Sequence, residues 1–300
     1  MSVKFGLLPV FERSKILDRD WVEGFLRIAE EGGVESVWTV EHVVVGVDYE
    51  PLYPYSDDGQ MPSGGGDTVM PDPLEWLGFA AALTSKLKLG TSVVVASQHS
   101  AAILAKRVAT LDMLSRGRVM LGVGIGWQKE EYAAIGVPYS DRGRRLDECI
   151  EGMRALWADG PAKYEGRYVQ LPNVVCDVKP HGPLGIPIII GGSTSFAARR
   201  AGRLGDGFFP YVISPEDFAA RVEEMRQTAR DAGRNADALD VSVWPGSYDP
   251  MGTFNLDLAK RYVDGGAQRI VMNAMESGSM ELEAIRRFIG DVQERVIAKL

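Results

Sequence analysis

Two cysteines, Cys149 and Cys176, are all that the 300 residues contain. That is too few for the disulfide framework of a small secreted scaffold. Histidine is scarcer than usual as well. His42, His99 and His181 have no ligand-like spacing to one another or to the cysteines, so no metal site is expected. Positive charge runs short, with 33 basic against 41 acidic residues and a net charge of -8. This excess of acid argues against nucleic acid or an anionic membrane surface as a partner. No run reaches the roughly 18 apolar residues of a membrane span, and residues 1–9 lack signal-peptide form. Serine-nucleophile elbows (G-x-S-x-G) and P-loops (G-x-x-x-x-G-K-[ST]) are missing too. The expectation is a cytoplasmic enzyme acting on a small molecule, its chemistry supplied by an organic cofactor.

What is present is a rhythm. The chain is 45% hydrophobic, ample for a large core. Short runs rich in β-formers fall at 3–8, 34–40, 87–95, 119–123, 186–190, 206–211, 239–244 and 269–273, and a helical pattern follows each. Strands separated by helices imply a parallel sheet, and eight such units predict a (β/α)8 TIM barrel, one domain over 1–300. Two stretches interrupt the rhythm. Residues 43–71 lose periodicity and carry Tyr49, Tyr53, Tyr55 and the mobile-looking Ser63-Gly64-Gly65-Gly66. A loop of that length is a lid or binding loop, or else a surface insertion. Residues 160–183 read as an excursion outside the core, with a small hairpin at 164–169.

In such a barrel the chemistry belongs at the C-terminal ends of the strands. His42 follows the second strand directly, where an imidazole serves as a general acid or bonds a ring, or merely satisfies a loop carbonyl. Gly90 sits within the third strand, marking a bulge, a close ligand approach, or simply a small residue. After the fourth strand come Gly122, Gly124 and Gly126, and after the fifth Gly191-Gly192-Ser193-Thr194, with Arg199 and Arg200 one to two turns on. Each turn opens a helix, so its free N–H groups suit an anion. Either could also be a tight turn that binds nothing, but two of them suit one phosphate-bearing ligand.

Four segments together resemble the bacterial luciferase-like flavin and deazaflavin oxidoreductases. They are Trp38-Thr39-Val40-Glu41-His42, Leu89-Gly90-Thr91-Ser92-Val93, the run from Gly117 to Trp127 (GRVMLGVGIGW) and the run from Ala201 to Phe208 (AGRLGDGF), in family order. The resemblance implies a homodimeric barrel whose mouth holds the cofactor ring, with its phosphate near the turn after the fourth strand. It sets His42 beside a deazaflavin ring, and Glu41 is grouped with it as a catalytic candidate. Ser92 and Val93 match a bulge with a non-prolyl cis peptide that supports one ring face. Gly124, Ile125, Gly126 and Trp127 match one cofactor-contacting segment, and Gly191, Gly192, Ser193 and Thr194 match a second.

One position departs from the pattern. Deazaflavin-dependent sugar-phosphate dehydrogenases place a glutamate where this chain has Trp127, with Glu130 and Glu131 following as structural candidates. With Tyr53, Tyr55 and Trp76, Trp127 points instead to an apolar or aromatic substrate, unless these rings only pack the long loop. The reading that results is a coenzyme F-420-dependent (8-hydroxy-5-deazaflavin) oxidoreductase transferring hydride to or from a small organic molecule. The alternatives are an FMN-dependent two-component monooxygenase and a non-catalytic flavin-binding protein of the same fold.

Overall fold

A computed structural model of the chain describes residues 2–61, 69–183, 185–250 and 254–300. Its strands are β1 (Lys4–Leu8), β2 (Ser36–Thr39), β3 (Lys88–Thr91), β4 (Val119–Val123), β5 (Ala162–Glu165), β6 (Gln170–Val174), β7 (Ile188–Gly191), β8 (Gly207–Phe209), β9 (Asp240–Val243) and β10 (Arg269–Asn273). All but β5 and β6 are parallel neighbours in one closed barrel of order β1-β10-β9-β8-β7-β4-β3-β2. The eight-stranded parallel barrel expected from the sequence is therefore the fold.

The principal helices between barrel strands are α2 (Arg19–Glu31), α3 (Pro73–Leu83), α4 (Ala101–Ser115), α6 (Arg142–Trp157), α7 (Ser195–Leu204), α8 (Pro215–Asp231), α10 (Leu256–Asp264) and α11 (Leu282–Arg295). Their starts are legible in side-chain chemistry. Asp72 accepts the Leu74 and Glu75 N–H groups ahead of Pro73, which needs no donor at a first helical position. Asp18 caps α2 through Trp21 N–H, and the helix buries Val22, Phe25, Leu26 and Ala29 against the barrel. Two single-turn helices, α1 (Arg13–Ile16) and α9 (Pro245–Tyr248), and the short α5 (Lys129–Ala134) line the strand C-terminal ends. Four residues are too few to set up a helical period, which is why α1 and α9 leave no sequence pattern.

Trp38 fills the barrel beneath its mouth. It is fully buried and meets Phe209 edge to face at 5.2 Å, with Leu8, Met120, Ile189 and Val271 around it. A Cβ on Gly90 would stand 2.3 Å from the indole. Gly90 thus makes room for a neighbouring side chain, not for a ligand. At the strand N-terminal ends the buried Arg269 guanidinium binds Glu35 at 2.9 and 3.1 Å, Ser242 Oγ at 2.8 Å, and Asp240. Burial alone would raise the Asp240 carboxyl, but Arg269 and Lys4 outweigh it and hold it below the ordinary aspartate value.

The third strand is shorter than its β-rich run of 87–95. Its ladder to β2 ends at Thr91, and Ser92–Val93 is a cis peptide bond, as the resemblance implied. Beyond it, Val94 N–H bonds Gly122 O at 2.9 Å, and Val94 pairs with Val123 as an isolated bridge. The sixth barrel strand, β8, stops at Phe209 because Pro210 has no N–H to give. The excursion at 160–183 holds a hairpin whose strands β5 and β6 flank 166–169, so the expected hairpin segment is mostly its turn. Of the long insertion, 43–61 is irregular chain over the barrel mouth, and Ser63–Gly66 lies outside the described residues. Among the described residues no helix is long and apolar enough to cross a membrane.

Candidate active site

Each strand end contributes to the mouth through its own local logic. Thr39 ends β2, and the chain then delivers Glu41 and His42. His42 Nδ1 lies 3.1 Å from Glu131 Oε2, and Val43 N–H donates to Glu131 Oε1 at 2.6 Å. Glu131 is fully buried in α5. Val43 N–H already donates to this carboxylate, and a carboxylate that only accepts calls for a donor at Nδ1 as well. Nδ1 then carries the proton, and Nε2 is left as the ring nitrogen that can take or give one.

Glu41 faces different work. Its backbone N–H donates to Val93 O at 3.2 Å, and Oε2 accepts Val95 N–H at 2.7 Å. His99 Nε2 reaches both carboxylate oxygens, at 3.0 and 3.1 Å. The two catalytic candidates, Glu41 and His42, thus make separate contacts. Each has its own partner, and Glu41 is committed to the bend after β3.

Val93 stands between the ends of β4 and β7. A Cβ on Gly124 would come within 2.6 Å of Val93 Cγ2, and one on Gly191 within 2.5 Å of Cγ1. Glycine at both positions lets this β-branched side chain sit directly on two backbones. Ile125 is held from outside the barrel: Tyr132 OH donates to Ile125 O at 2.6 Å and lies 2.5 Å from Ser97 Oγ. Burial pushes the Tyr132 phenol up to about 12 despite the Ser97 bond, so it stays a donor at working pH.

On the β7 side, Gly192 takes φ +105, open to glycine, before Thr194 caps α7 through Ala197 N–H at 3.3 Å. Ser193 Oγ donates to Tyr211 O and accepts Tyr211 N–H at 3.1 Å. The hydroxyls of Ser193 and Thr194 thus shape the turn, leaving main-chain N–H groups as its anion-facing resource. The arginines that follow are occupied elsewhere: Arg200 bonds Asp147 and Gly143 O, and Arg199 pairs with Glu224. Beside this turn opens a groove of about 710 Å³, lined by Thr194, Ser195, Ser214, Arg221 and Tyr248 among others.

An arc of rings crosses the mouth. His42 meets Trp127 edge-on at 6.0 Å, and Trp127 meets Tyr49 at 5.1 Å and Tyr53 at 5.2 Å. Tyr53 contacts Tyr55, Tyr55 contacts Tyr211 at 4.9 Å, and Tyr211 contacts Trp244 at 5.7 Å. Trp244 Nε1 donates to Glu276 Oε1 at 2.6 Å. Burial pushes the Tyr55 phenol up to about 12 and raises Tyr53 as well. Both are neutral donors in the physiological range.

The loop is gripped by α5 and the residue before it. Gln128 Oε1 accepts Gly46 N–H at 3.0 Å, Glu130 Oε1 accepts Glu50 N–H at 3.0 Å, and Lys129 pairs with Glu50. Trp76 does not join the arc. It is buried in the first turn of α3 and lines a groove with Ile16, Val22, Pro71 and Phe79 on the outer helical layer. Expected from the sequence as a substrate contact, it stands here among the helices.

Sequence reading missed three participants. Glu131 had the signal of an acid in the first turn of the helix after the glycine turn, but its partner lies 89 residues away. Tyr211, two residues past β8, and Trp244, directly after β9, stand at strand C-terminal ends, a position that marks them for the mouth once the strands are known.

The model of the luciferase-like monooxygenase family matches residues 18–247. The F-420-dependent glucose-6-phosphate dehydrogenase of Segniliparus rotundus is 35% identical over 191 residues, covering 60% of this chain and 55% of that one. Two solved structures share the fold at 16–18% identity, each with TM-score 0.75. One is the coenzyme F-420-dependent tetrahydromethanopterin reductase of Methanopyrus kandleri, with 100% of this chain and 99% of that one covered. The other is the oxygenating constituent of 3,6-diketocamphane monooxygenase from Pseudomonas putida, in complex with FMN, with the same coverage. Fold likeness thus extends to deazaflavin and flavin proteins alike.

Proposed function

We propose, for a chain that belongs to the luciferase-like monooxygenase family, that this oxidoreductase uses coenzyme F-420 and moves a hydride between it and a small apolar or aromatic molecule. The observation that carries the reading is the seat formed by Val93 on Gly124 and Gly191, with the anchored His42 at the adjoining strand end. Such a seat fits a flat ring. Its floor is the aliphatic face of Val93, set low because the side chain fills the space that Gly124 and Gly191 leave, and a helix-opening turn stands at its β7 side for an anionic tail. The Segniliparus relative, F-420-dependent by name, favours the deazaflavin over FMN.

When bound, the deazaflavin supplies two-electron hydride chemistry. The protein's own residues do the rest. Val93, Gly124, Ile125, Gly126, Gly191 and Gly192 hold and orient; Ser92 lies in the bend that carries Val93. His42, with Nδ1 fixed by Glu131, takes or delivers a proton at Nε2 as an alcohol or carbonyl changes oxidation state. Trp127, Tyr53 and Tyr55 form an apolar wall that keeps water from the reacting atoms and selects substrates without phosphate. Trp127 leaves no carboxylate at that position to engage a sugar.

The test is a side-by-side fluorescence titration of the purified protein with oxidised F-420 and with FMN. Micromolar or tighter binding of F-420, with FMN much weaker, supports the reading. Preference for FMN transfers the site to flavin monooxygenase chemistry.

A further inference from the structure

The bend after β3 is held from outside its own strand. Once the ladder stops at Thr91, residues 93–99 have few sheet partners. Three of the contacts they make converge on one residue: Glu41 N–H takes Val93 O, Glu41 Oε2 takes Val95 N–H, and His99 Nε2 spans both Glu41 oxygens. The Glu41 side chain is 5% exposed and that of His99 18%. A carboxylate so enclosed keeps its place only while its donors do. His99, at the far end of the turn, closes the loop as a clasp.

We infer that Glu41 and His99 are a positioning pair, which fixes the Val93 seat relative to His42. The inference rests on the reading of the mouth as a deazaflavin or flavin site. Glu41 is covalently next to His42, and Val93 is wedged against Gly124 and Gly191. Any slackening of the clasp therefore moves the seat against the histidine. Glu41 acts through the backbone of the bend, and its carboxylate needs no proton transfer to do so.

The experiment compares the full-length protein with Glu41→Ala, Glu41→Gln, Glu41→Asp, His99→Ala and His99→Gln. The readouts are F-420 affinity, the absorption spectrum of the bound cofactor, and thermal midpoint. Loss of one buried charge-assisted bond predicts about tenfold weaker binding for Glu41→Ala and His99→Ala, with the bound spectrum moving toward that of free F-420. Glu41→Gln still accepts Val95 N–H and can donate to the other His99 tautomer. His99→Gln still offers a donor to Glu41. Both are expected to recover most of the lost affinity and the bound spectrum.

Equal loss in Glu41→Gln and Glu41→Ala would make the charge itself the active feature and overturn positioning. Wild-type affinity and spectrum in both alanine variants would overturn it as well. If the alanine variants do not fold, Glu41→Asp decides: its shortened reach must weaken binding, and unchanged binding sinks the inference. A wild-type protein that binds neither F-420 nor FMN removes the cofactor seat itself, an outcome separate from any behaviour of the variants.

Discussion

His42 and Glu131 are 89 residues apart in the chain and 3.1 Å apart in the fold, with Val43 N–H closing on the same carboxylate. The pair resembles the acid-oriented histidines of many hydrolytic and redox sites in its physical logic alone. A buried acceptor selects one tautomer and so decides which nitrogen is free for chemistry. Removing the histidine should cost turnover by roughly 10²–10⁴-fold while F-420 still binds. A variant His42→Ala with undiminished turnover in a substrate screen would leave only a binding protein.

Glu131→Gln tests the anchor separately. The amide can still meet Val43 N–H, but its hold on the imidazole is weaker and no longer charge-assisted. Turnover is expected to fall by about tenfold, with substrate KM little changed, because orientation and not binding is disturbed. Steady-state kinetics on His42 and Glu131 single and double variants would show strong non-additivity if the two act as one unit.

Gly191→Ala places a methyl 2.5 Å from Val93 Cγ1, and a β-branched side chain cannot swing clear. Overpacking of this kind costs about 1–3 kcal/mol and should displace the seat, weakening F-420 by tenfold or more. Trimming the obstacle in the double variant Gly191→Ala, Val93→Ala should restore stability and part of the affinity. Calorimetry and titration on the same samples separate the two effects.

At the other end of the barrel, Arg269→Met leaves Glu35 and Asp240 without their shared buried cation. Breaking such a pair costs about 3–5 kcal/mol, measurable by urea unfolding, with cofactor affinity in the folded fraction unchanged. The depressed Asp240 carboxyl adds a pH signature. Its contribution is fully present above the ordinary aspartate pKa of about 3.9 and is lost as pH falls toward the lower folded value. In Arg269→Met the acid-side loss of stability should flatten.

Tyr55 joins the loop to Tyr211 across the mouth. Tyr55→Ala opens that wall and should broaden substrate acceptance toward bulkier molecules, raising KM for small ones by about tenfold. Identical KM values across a size series would show that the ring only packs the loop.

Much of this architecture could be read from residue order. Strand runs, helix caps such as Asp72-Pro73 and the glycine turns are local signals, spaced within a few residues, and they suffice for an eight-unit barrel. The same signals place His42, Gly124 and Gly191 at strand ends, whereas Val93 falls inside the expected third strand and only the family resemblance marks it. They mislead where a residue's role depends on what packs against it. Gly90 serves Trp38, Trp76 serves the outer helices, and Arg199 and Arg200 serve neighbouring acids.

Sequence by itself thus determined the barrel and which turns stand at its mouth, because backbone propensity and hydrophobic period are properties of neighbouring residues. Tertiary structure alone decided the partners. Glu131 goes to His42 and Glu41 to His99, over separations of 89 and 58 residues, and Tyr211 and Trp244 meet the loop tyrosines only when the barrel closes. Those pairings follow from barrel curvature and side-chain reach, and no local pattern encodes either.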